Sequence, residues 1–191
     1  PQAVDLLTSY GHEIYIENGA GKHASYTDDQ YRNAGAVIVE EKEEVFQCDI
    51  ILRVAPFSSD EIDLLRGNQA VISSMQIQAH CAESIKKLMQ KKVTTIAFEN
   101  MENEEGFLPV VHQMSQIAGV TSITIASEYL SNAHNGKGVL FGEVTGVTPA
   151  ELVIIGTSTA AEYAARAALA LGILVKVFDT SVYDLSKLEE K

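Results

Sequence analysis

The stretch that follows residue 150 constrains the fold more than any other part of the sequence. It contains an apolar run, a turn of small residues that begins at Gly156, an Ala-rich segment and a second apolar run that ends at Asp179. This order predicts a β-α-β unit, in which a tight turn directs the N-terminus of the helix towards a pyrophosphate group. In such units an acid that binds the adenosine ribose follows the first glycine by about 20 residues, and Asp179 lies at that position. The stretch therefore predicts part of a dinucleotide-binding domain.

The turn keeps one of the three glycines that a dinucleotide-binding turn usually has. Gly156 takes the first position, whereas Ser158 and Ala161 take the second and third. The second glycine lets the backbone approach the pyrophosphate, so a Cβ at Ser158 hinders binding. A β-α-β unit with one glycine also fits an α/β scaffold that binds no cofactor. We expect weak or absent binding of NAD(H), with NAD(H) favoured over NADP(H) because the Asp179 carboxylate repels a 2′-phosphate. The residues assigned to the cofactor in this turn are Gly156, Thr157, Ser158, Thr159, Ala160 and Asp179.

Before residue 100, five strand-like segments alternate with helix-like segments. The predicted strands cover residues 12–17, 36–39, 49–54, 70–74 and 93–99. Thr27 with Gln30 and Ser58 with Glu61 match capping boxes, which mark the starts of two helices. The alternation predicts a parallel sheet with helices on both faces and ligands at the carboxyl ends of the strands. The run over residues 49–54 predicts a central strand that is buried on both faces. The residues expected at the carboxyl ends of the strands are Arg53, Ala55, Gln76 and Glu99.

Three domains are predicted along the chain. Residues 1–111 form an α/β substrate domain, residues 112–149 a linking helix with a glycine-rich connection, and residues 150–191 part of a Rossmann-type domain. The linking helix is predicted over residues 114–130, with a hairpin-like stretch around residues 139–147. Because the chain lacks an initiator methionine and offers two of the about six strands of a doubly wound sheet, we expect an internal piece of a longer polypeptide.

Composition excludes several classes of partner. A net charge of −12 argues against nucleic acid and against an anionic membrane surface, since both need a basic face. No apolar run approaches the roughly 20 residues of a membrane-spanning helix. The two cysteines lack a Cys-x-x-Cys spacing and fit a reducing cytoplasm. The five histidines show no helical pairing with one another, so we expect no structural metal.

Several stretches together resemble the alanine dehydrogenase and nicotinamide nucleotide transhydrogenase α-subunit family. They recur in the family's order and are residues 11–13 with 17–21, residues 31–36, residues 114–119 and residues 136–142. The resemblance implies an N-terminal substrate domain, here without its first strand, joined by the linking helix to an NAD-binding domain that ends after Asp179. It implies an NAD(H)-dependent oxidoreductase acting on a small amino acid or 2-oxo acid.

The sequence departs from the family at the residues that carry its chemistry. Ala55 stands where the substrate-binding lysine is expected, and Arg53 falls on a neighbouring basic position. Gln76 replaces the catalytic histidine, and an amide cannot carry a proton at neutral pH. The resemblance therefore assigns Gln76 to the catalytic position and Arg53 and Gln76 to the substrate. His80 and His112 are the alternative proton carriers, although a partly exposed loop histidine is the plainer interpretation of His112.

Met114 and Ser115 match family positions at the nicotinamide end of the cofactor. They also fit a helix N-terminus with a buried methionine and a capping serine. Both interpretations stay open at the level of the sequence.

Three candidate functions fit the sequence, and each of them involves a small-molecule substrate or ligand. The first is an alanine-dehydrogenase-like oxidoreductase with weakened or lost catalysis. The second is a non-catalytic ligand-binding or regulatory module on the same fold, and the third is a transhydrogenase-like NAD(H)-binding subunit. We expect at least a homodimer, because a two-stranded sheet and the Ala-rich helix over residues 160–171 leave apolar surface uncovered.

Overall fold

The computed structural model describes residues 1–75 and 82–190, which form two compact units. The first unit comprises residues 1–100, and the second begins at Met101. Every strand pair in the described parts of the chain is parallel, which confirms the predicted α/β class. None of the helices in these two ranges is long and apolar enough to cross a bilayer.

The first unit contains the five predicted strands, but they pair as two sheets. Its helices are α1 (Gln2–Ser9), α2 (Asp28–Asn33), α3 (Lys42–Val45), α4 (Ser59–Leu64) and α5 (Ala82–Gln90). Its strands are β1 (Tyr15–Glu17), β2 (Val37–Val39), β3 (Ile50–Leu52), β4 (Ala70–Ser73) and β5 (Thr94–Ala97). β1 pairs with β2, while β4 lies between β3 and β5.

The prediction that the third strand is central and buried on both faces is wrong. Within the described chain β3 pairs with β4 alone and so lies at a sheet edge. Ile51 faces the core with 4% of its surface exposed, whereas Ile50 and Leu52 are 60% and 71% exposed. A run of aliphatic residues shows a preference for the extended conformation, but it does not show how many neighbouring strands are present.

Both predicted capping boxes are present. The Thr27 backbone N–H donates to Gln30 Oε1 at 2.8 Å, and the Gln30 N–H donates to Thr27 Oγ1 at 3.3 Å. Ser58 and Glu61 make the same pair of bonds at 2.9 and 3.3 Å. These bonds satisfy N–H groups that have no partner inside the helix, and they fix where α2 and α4 begin.

A buried glutamine links three segments of the first unit. Gln69 is 3% exposed. Its amide nitrogen donates to the carbonyls of Phe46 at 2.8 Å and Cys48 at 2.6 Å, and its amide oxygen accepts from the Arg66 N–H. The side chain therefore satisfies three backbone groups beside the apolar core, which includes Ile51, Ile62, Val71 and Leu88.

Gln69→Met is expected to lower the free energy of unfolding by about 2–4 kcal/mol, because it keeps the length of the side chain but leaves buried backbone groups without partners. Urea denaturation followed by circular dichroism measures the loss. Gln90→Met on exposed α5 is the matched control and should change stability by less than about 0.5 kcal/mol. Equal stability of the two variants would contradict the linking role.

The second unit has one long helix followed by a β-α-β-α sequence. The elements are α6 (Pro109–Leu130), β6 (Glu151–Ile155), α7 (Thr159–Ala170), β7 (Leu174–Phe178) and α8 (Val182–Glu189). The glycine-punctuated stretch before β6 contains turns and no strand, so the hairpin-like prediction for residues 139–147 is wrong. Gly138 and Gly146 have φ angles of +69° and +82°, which interrupt an extended backbone.

Helix α6 begins at Pro109, earlier than the predicted start at residue 114. Proline fits the first helical position because its missing N–H would have no partner there. Met114 is therefore inside the helix and 51% exposed, and Ser115 is not a cap. The interpretation of these two residues as a buried methionine and a capping serine is wrong, as is the placement of His112 in a loop.

Helix α7 packs closely against α6 at Gly119. A Cβ built on Gly119 would lie 2.3 Å from the Ala160 carbonyl oxygen and 2.9 Å from Tyr163 Cβ. Four alanines of α7 are buried, namely Ala161, Ala164, Ala165 and Ala168, and two of them, Ala164 and Ala168, share a core cluster with Ile123 of α6. The Ala-rich helix thus finds a partner for one face within its own chain.

Candidate functional site

The strongest candidate site lies where β6 and β7 end. The two strands pair in parallel with Ile155 opposite Phe178, so Gly156 and Asp179 leave the sheet side by side. The Gly156 N–H donates to the Phe178 carbonyl at 2.7 Å, which holds the two strand ends together. Gly156 has a φ of +104°, and apart from its two chain neighbours no heavy atom of residues 1–75 and 82–190 lies within 4 Å of the position that its Cβ would occupy. The turn therefore starts with a glycine-specific conformation and open space beside it.

Asp179 is held by hydrogen bonds from both sides. Thr157 Oγ1 donates to Asp179 Oδ2 at 2.7 Å, and the Ser181 N–H donates to Oδ1 at 2.8 Å. The Ser181 N–H and then the Thr157 hydroxyl hold the pKa of the Asp179 carboxyl below its ordinary value. At neutral pH the group is an ionised acceptor with a fixed orientation.

Ser158 caps helix α7, a role that the glycine pattern does not predict. Its Oγ accepts from the Ala161 N–H at 3.4 Å, a long bond that contributes weakly. The signal was present in the sequence, since serine before a helical run is a common cap. The consequence for a pyrophosphate is twofold: a Cβ stands at the approach to the turn, and one free N–H of the helix already has a partner.

The residues of this turn fit an NAD(H)-type dinucleotide in two respects and hinder it in one. The open space at Gly156 and the ionised acceptor Asp179 suit a pyrophosphate turn and an adenosine ribose. Ser158 is the hindrance. Thr159 and Ala160 lie in the first turn of α7, and their assignment to a cofactor stays a prediction.

Met114 and Ser115 lie towards the same end of the second unit as the turn. Gly119 of α6 contacts Ala160 at the start of α7, whereas Ser127 of α6 and Leu171 after α7 border a common groove. The two helices therefore run in the same general direction. Residues that precede Gly119 by four or five positions extend about 6–8 Å beyond that contact, on the side where the turn lies.

His112, the alternative proton carrier, is partly buried in the first turns of α6. Its Nε2 lies 2.7 Å from Gln116 Nε2, and its ring lies 4.9 Å from the Phe107 ring.

In the first unit, Arg53 follows β3 and is engaged by Glu61. Arg53 Nη1 lies 2.8 Å from Glu61 Oε2, and the guanidinium stacks over the Phe57 ring at 5.1 Å. Burial raises the pKa of the Glu61 carboxyl, but bonds from Ser58 and Arg53 bring it below its ordinary value. Glu61 thus combines the capping role expected from the sequence with an ion pair to Arg53 that no local sequence pattern indicates.

The ends of β4 and β5 are connected by Glu99, whose Oε1 accepts from the Met75 N–H at 2.8 Å. Ala55 lies exposed after β3. Gln76 and His80 lie outside the described residues. The assignment of Arg53 and Gln76 to a substrate stays a prediction.

Comparison with known proteins agrees with this architecture. Residues 1–118 match the N-terminal domain of the family described as alanine dehydrogenase/PNT, and residues 122–191 match its C-terminal domain. The chain is 35% identical to an alanine dehydrogenase of Methanococcus maripaludis and 34% identical to one of Mycolicibacterium smegmatis, and it covers 51% of each. The chain thus spans about half the length of these curated relatives.

Solved structures give the same result. An L-alanine dehydrogenase superposes with a TM-score of 0.90 at 34% identity, over 100% of this chain and 52% of that one. A transhydrogenase from Sinorhizobium meliloti superposes with a TM-score of 0.80 at 24% identity, over 98% of this chain and 54% of that one, which is a likeness of fold. Because the N-terminal family domain alone matches residues 1–118, more than half of the sequence, the chain belongs to the alanine dehydrogenase/PNT family.

Proposed function

We propose that the protein is an alanine-dehydrogenase-like, NAD(H)-dependent oxidoreductase of the cytoplasm with weakened cofactor binding and catalysis. The observation that carries the proposal is the Asp179 carboxylate, held ionised beside the open turn at Gly156. Bound NAD(H) would accept or supply the hydride for a small amino acid or 2-oxo acid. Residues 1–111 would hold the substrate, residues 112–149 would link the two parts, and residues 150–191 would hold the cofactor.

Within this proposal the residues have separate tasks. The turn from Gly156 to Ala160 would face the pyrophosphate, and Asp179 would accept from the adenosine ribose. Met114 and Ser115 would lie near the nicotinamide, and Arg53 with Gln76 would face the substrate.

A second candidate is a non-catalytic ligand-binding or regulatory module, and the Arg53 ion pair favours it. The Arg53 guanidinium is stacked on Phe57 and bound to Glu61, so its charge is already compensated within the chain. Binding of an amino acid or NADH without turnover would support this module. A transhydrogenase-like subunit is the third candidate and would need further protein partners.

Unaltered protein is expected to bind NADH with a dissociation constant well above the micromolar range, and Ser158→Gly should tighten binding about tenfold by removing the Cβ. Glycine at the cap position costs only a few tenths of a kcal/mol of helix stability, about as little as the long bond suggests. Calorimetric titration with NADH and NADPH measures the dissociation constants of the unaltered protein and of the Ser158→Gly variant.

Ser158→Ala is the matched control, because it removes the cap and keeps the Cβ. It should lower stability by about 0.5 kcal/mol, the low end of the usual cost of losing a serine cap, and leave the NADH affinity low. Micromolar affinity in the unaltered protein would contradict the proposed hindrance.

A homodimer is expected from the exposed face of the sheet formed by β6 and β7. Val153, Leu174 and Phe178 are exposed on this face, and Ile155 is 87% exposed. Leu152, Ile154 and Val175 on the opposite face pack into the core. Multi-angle light scattering at tens of micromolar should report at least a dimer, and Ile155→Lys should shift it towards monomer. A clean monomer with a cooperative thermal transition would rule the dimer out.

A further inference from the structure

Thr157 and Asp179 make a contact that the glycine pattern of the turn does not require. Thr157 is the second residue of the turn, and its hydroxyl donates to Asp179 Oδ2 at 2.7 Å. This length is typical of a hydrogen bond to an ionised oxygen. The two residues are 22 positions apart, so the contact joins the end of β6 to the end of β7.

Among residues 1–75 and 82–190, the Thr157 hydroxyl makes no second hydrogen bond. Ser158 caps α7, and the Gly156 N–H already ties the two strand ends to each other. The Thr157 hydrogen bond is therefore not needed to close the turn, and its effect is to orient the Asp179 carboxylate.

The bonds at Asp179 fix the carboxylate and leave acceptor positions open. Oδ2 accepts from Thr157 and Oδ1 from the Ser181 N–H, while Thr180 Oγ1 lies 3.5 Å from Oδ1, too far for a strong bond. The Thr180 N–H makes a further, smaller contribution to holding the carboxylate. A carboxylate offers about four acceptor positions, so the two short bonds on different oxygens restrain its rotation and leave acceptor capacity for a ligand. Two adjacent hydroxyl groups of a ligand match that pattern.

We propose that Thr157 is a positioning residue that holds the Asp179 carboxylate ready to accept from the vicinal hydroxyl groups of an adenosine ribose. The proposal rests on the proposed NAD(H) function and adds Thr157 to its determinants. Thr157 acts through Asp179 and not by touching the ribose itself. Removal of the Thr157 hydroxyl therefore weakens the binding of a ligand in proportion to the number of ribose hydroxyl groups that the ligand offers.

A thermodynamic cycle that combines one substitution in the protein with one change in the ligand tests this proposal. Thr157→Val removes the hydroxyl at almost constant shape, and reduced nicotinamide 2′-deoxyadenosine dinucleotide lacks the ribose 2′-hydroxyl but keeps the 3′-hydroxyl. Thr157→Val should weaken NADH binding about three- to tenfold, the loss of one hydrogen bond, but should weaken binding of the deoxy ligand by only about two- to threefold, because one of the two hydroxyl groups remains. Thr157→Ser, which keeps the hydroxyl, should restore NADH binding. Calorimetry is done in the unaltered protein and in the Ser158→Gly background.

A second readout needs no ligand. In carbon-13 NMR the titration midpoint of the Asp179 carboxyl should rise towards the ordinary value in Thr157→Val and stay low in Thr157→Ser. Thr157→Ala is the second removal variant in case the valine disturbs folding.

The possible results distinguish a failure of the positioning role of Thr157 from a failure of the proposed NAD(H) function. NADH binding by the unaltered protein with an unchanged affinity in Thr157→Val and Thr157→Ala overturns the positioning role and leaves the cofactor intact. An equal loss for NADH and the deoxy ligand also overturns it, because the effect then does not pass through the ribose hydroxyl. No NADH binding in either background overturns the proposed function together with this inference.

Discussion

The double variant Gln76→His and Ala55→Lys is expected to oxidise alanine with NAD about 10²- to 10⁴-fold faster than the unaltered protein, the range that a positioned acid or base contributes. Glutamine at position 76 can donate or accept a hydrogen bond but cannot carry a proton at neutral pH. Ala55 offers no cation for a substrate carboxylate, and the guanidinium of nearby Arg53 is bound to Glu61. Initial rates of NADH formation measure the gain.

Control variants separate the contribution of the proton carrier to the rate from that of the cation. Gln76→His alone should recover part of the rate, and Gln90→His on exposed α5 should recover none. Brisk turnover by the unaltered protein would refute the prediction and would direct attention to His112, whose replacement by asparagine would then abolish the activity.

Gly119→Ala is expected to lower the free energy of unfolding of the second unit by about 3 kcal/mol, at the upper end of the usual cost of overpacking. The added methyl group would lie 2.3 Å from the Ala160 carbonyl oxygen. That atom belongs to the backbone of α7 and cannot rotate away, so the two helices must separate. The loss exceeds the gain of about 0.5–1 kcal/mol that alanine otherwise brings to a helix interior.

Urea denaturation measures the change, and hydrogen exchange shows whether α6 and α7 lose protection first. Thr121→Ala is the control, because residue 121 is exposed on the same helix. It should be neutral or slightly stabilising. Gly119→Ala with the stability of this control would show that the helices tolerate the wider spacing.

Features that depend on neighbouring residues were predictable from the sequence. The Thr27 and Ser58 capping boxes form as expected because their bonds span three residues. The β-α-β unit around Gly156 also follows from local signals, namely apolar runs separated by a glycine turn. Fold class could be derived from such elements with the family resemblance beside them.

Features that depend on distant residues were not predictable. Nothing in the run that contains Ile51 indicates whether one or two strands lie beside it. The partners of Arg53 and Asp179, which are Glu61 and Thr157, become visible only when the chain is folded. Helix α6 begins before its predicted start at residue 114 because Pro109 fits the first helical position.

The bond between Glu99 and Met75 bears on how this protein family can change over time. It ties the backbone at the end of β4 through an N–H group, which every amino acid except proline provides. The side chain at the next position can therefore be exchanged by mutation while the strand end stays anchored. Exchange of a histidine for glutamine there would remove a proton carrier and keep the fold, and the reverse exchange would restore the proton carrier without restoring a cation at Ala55.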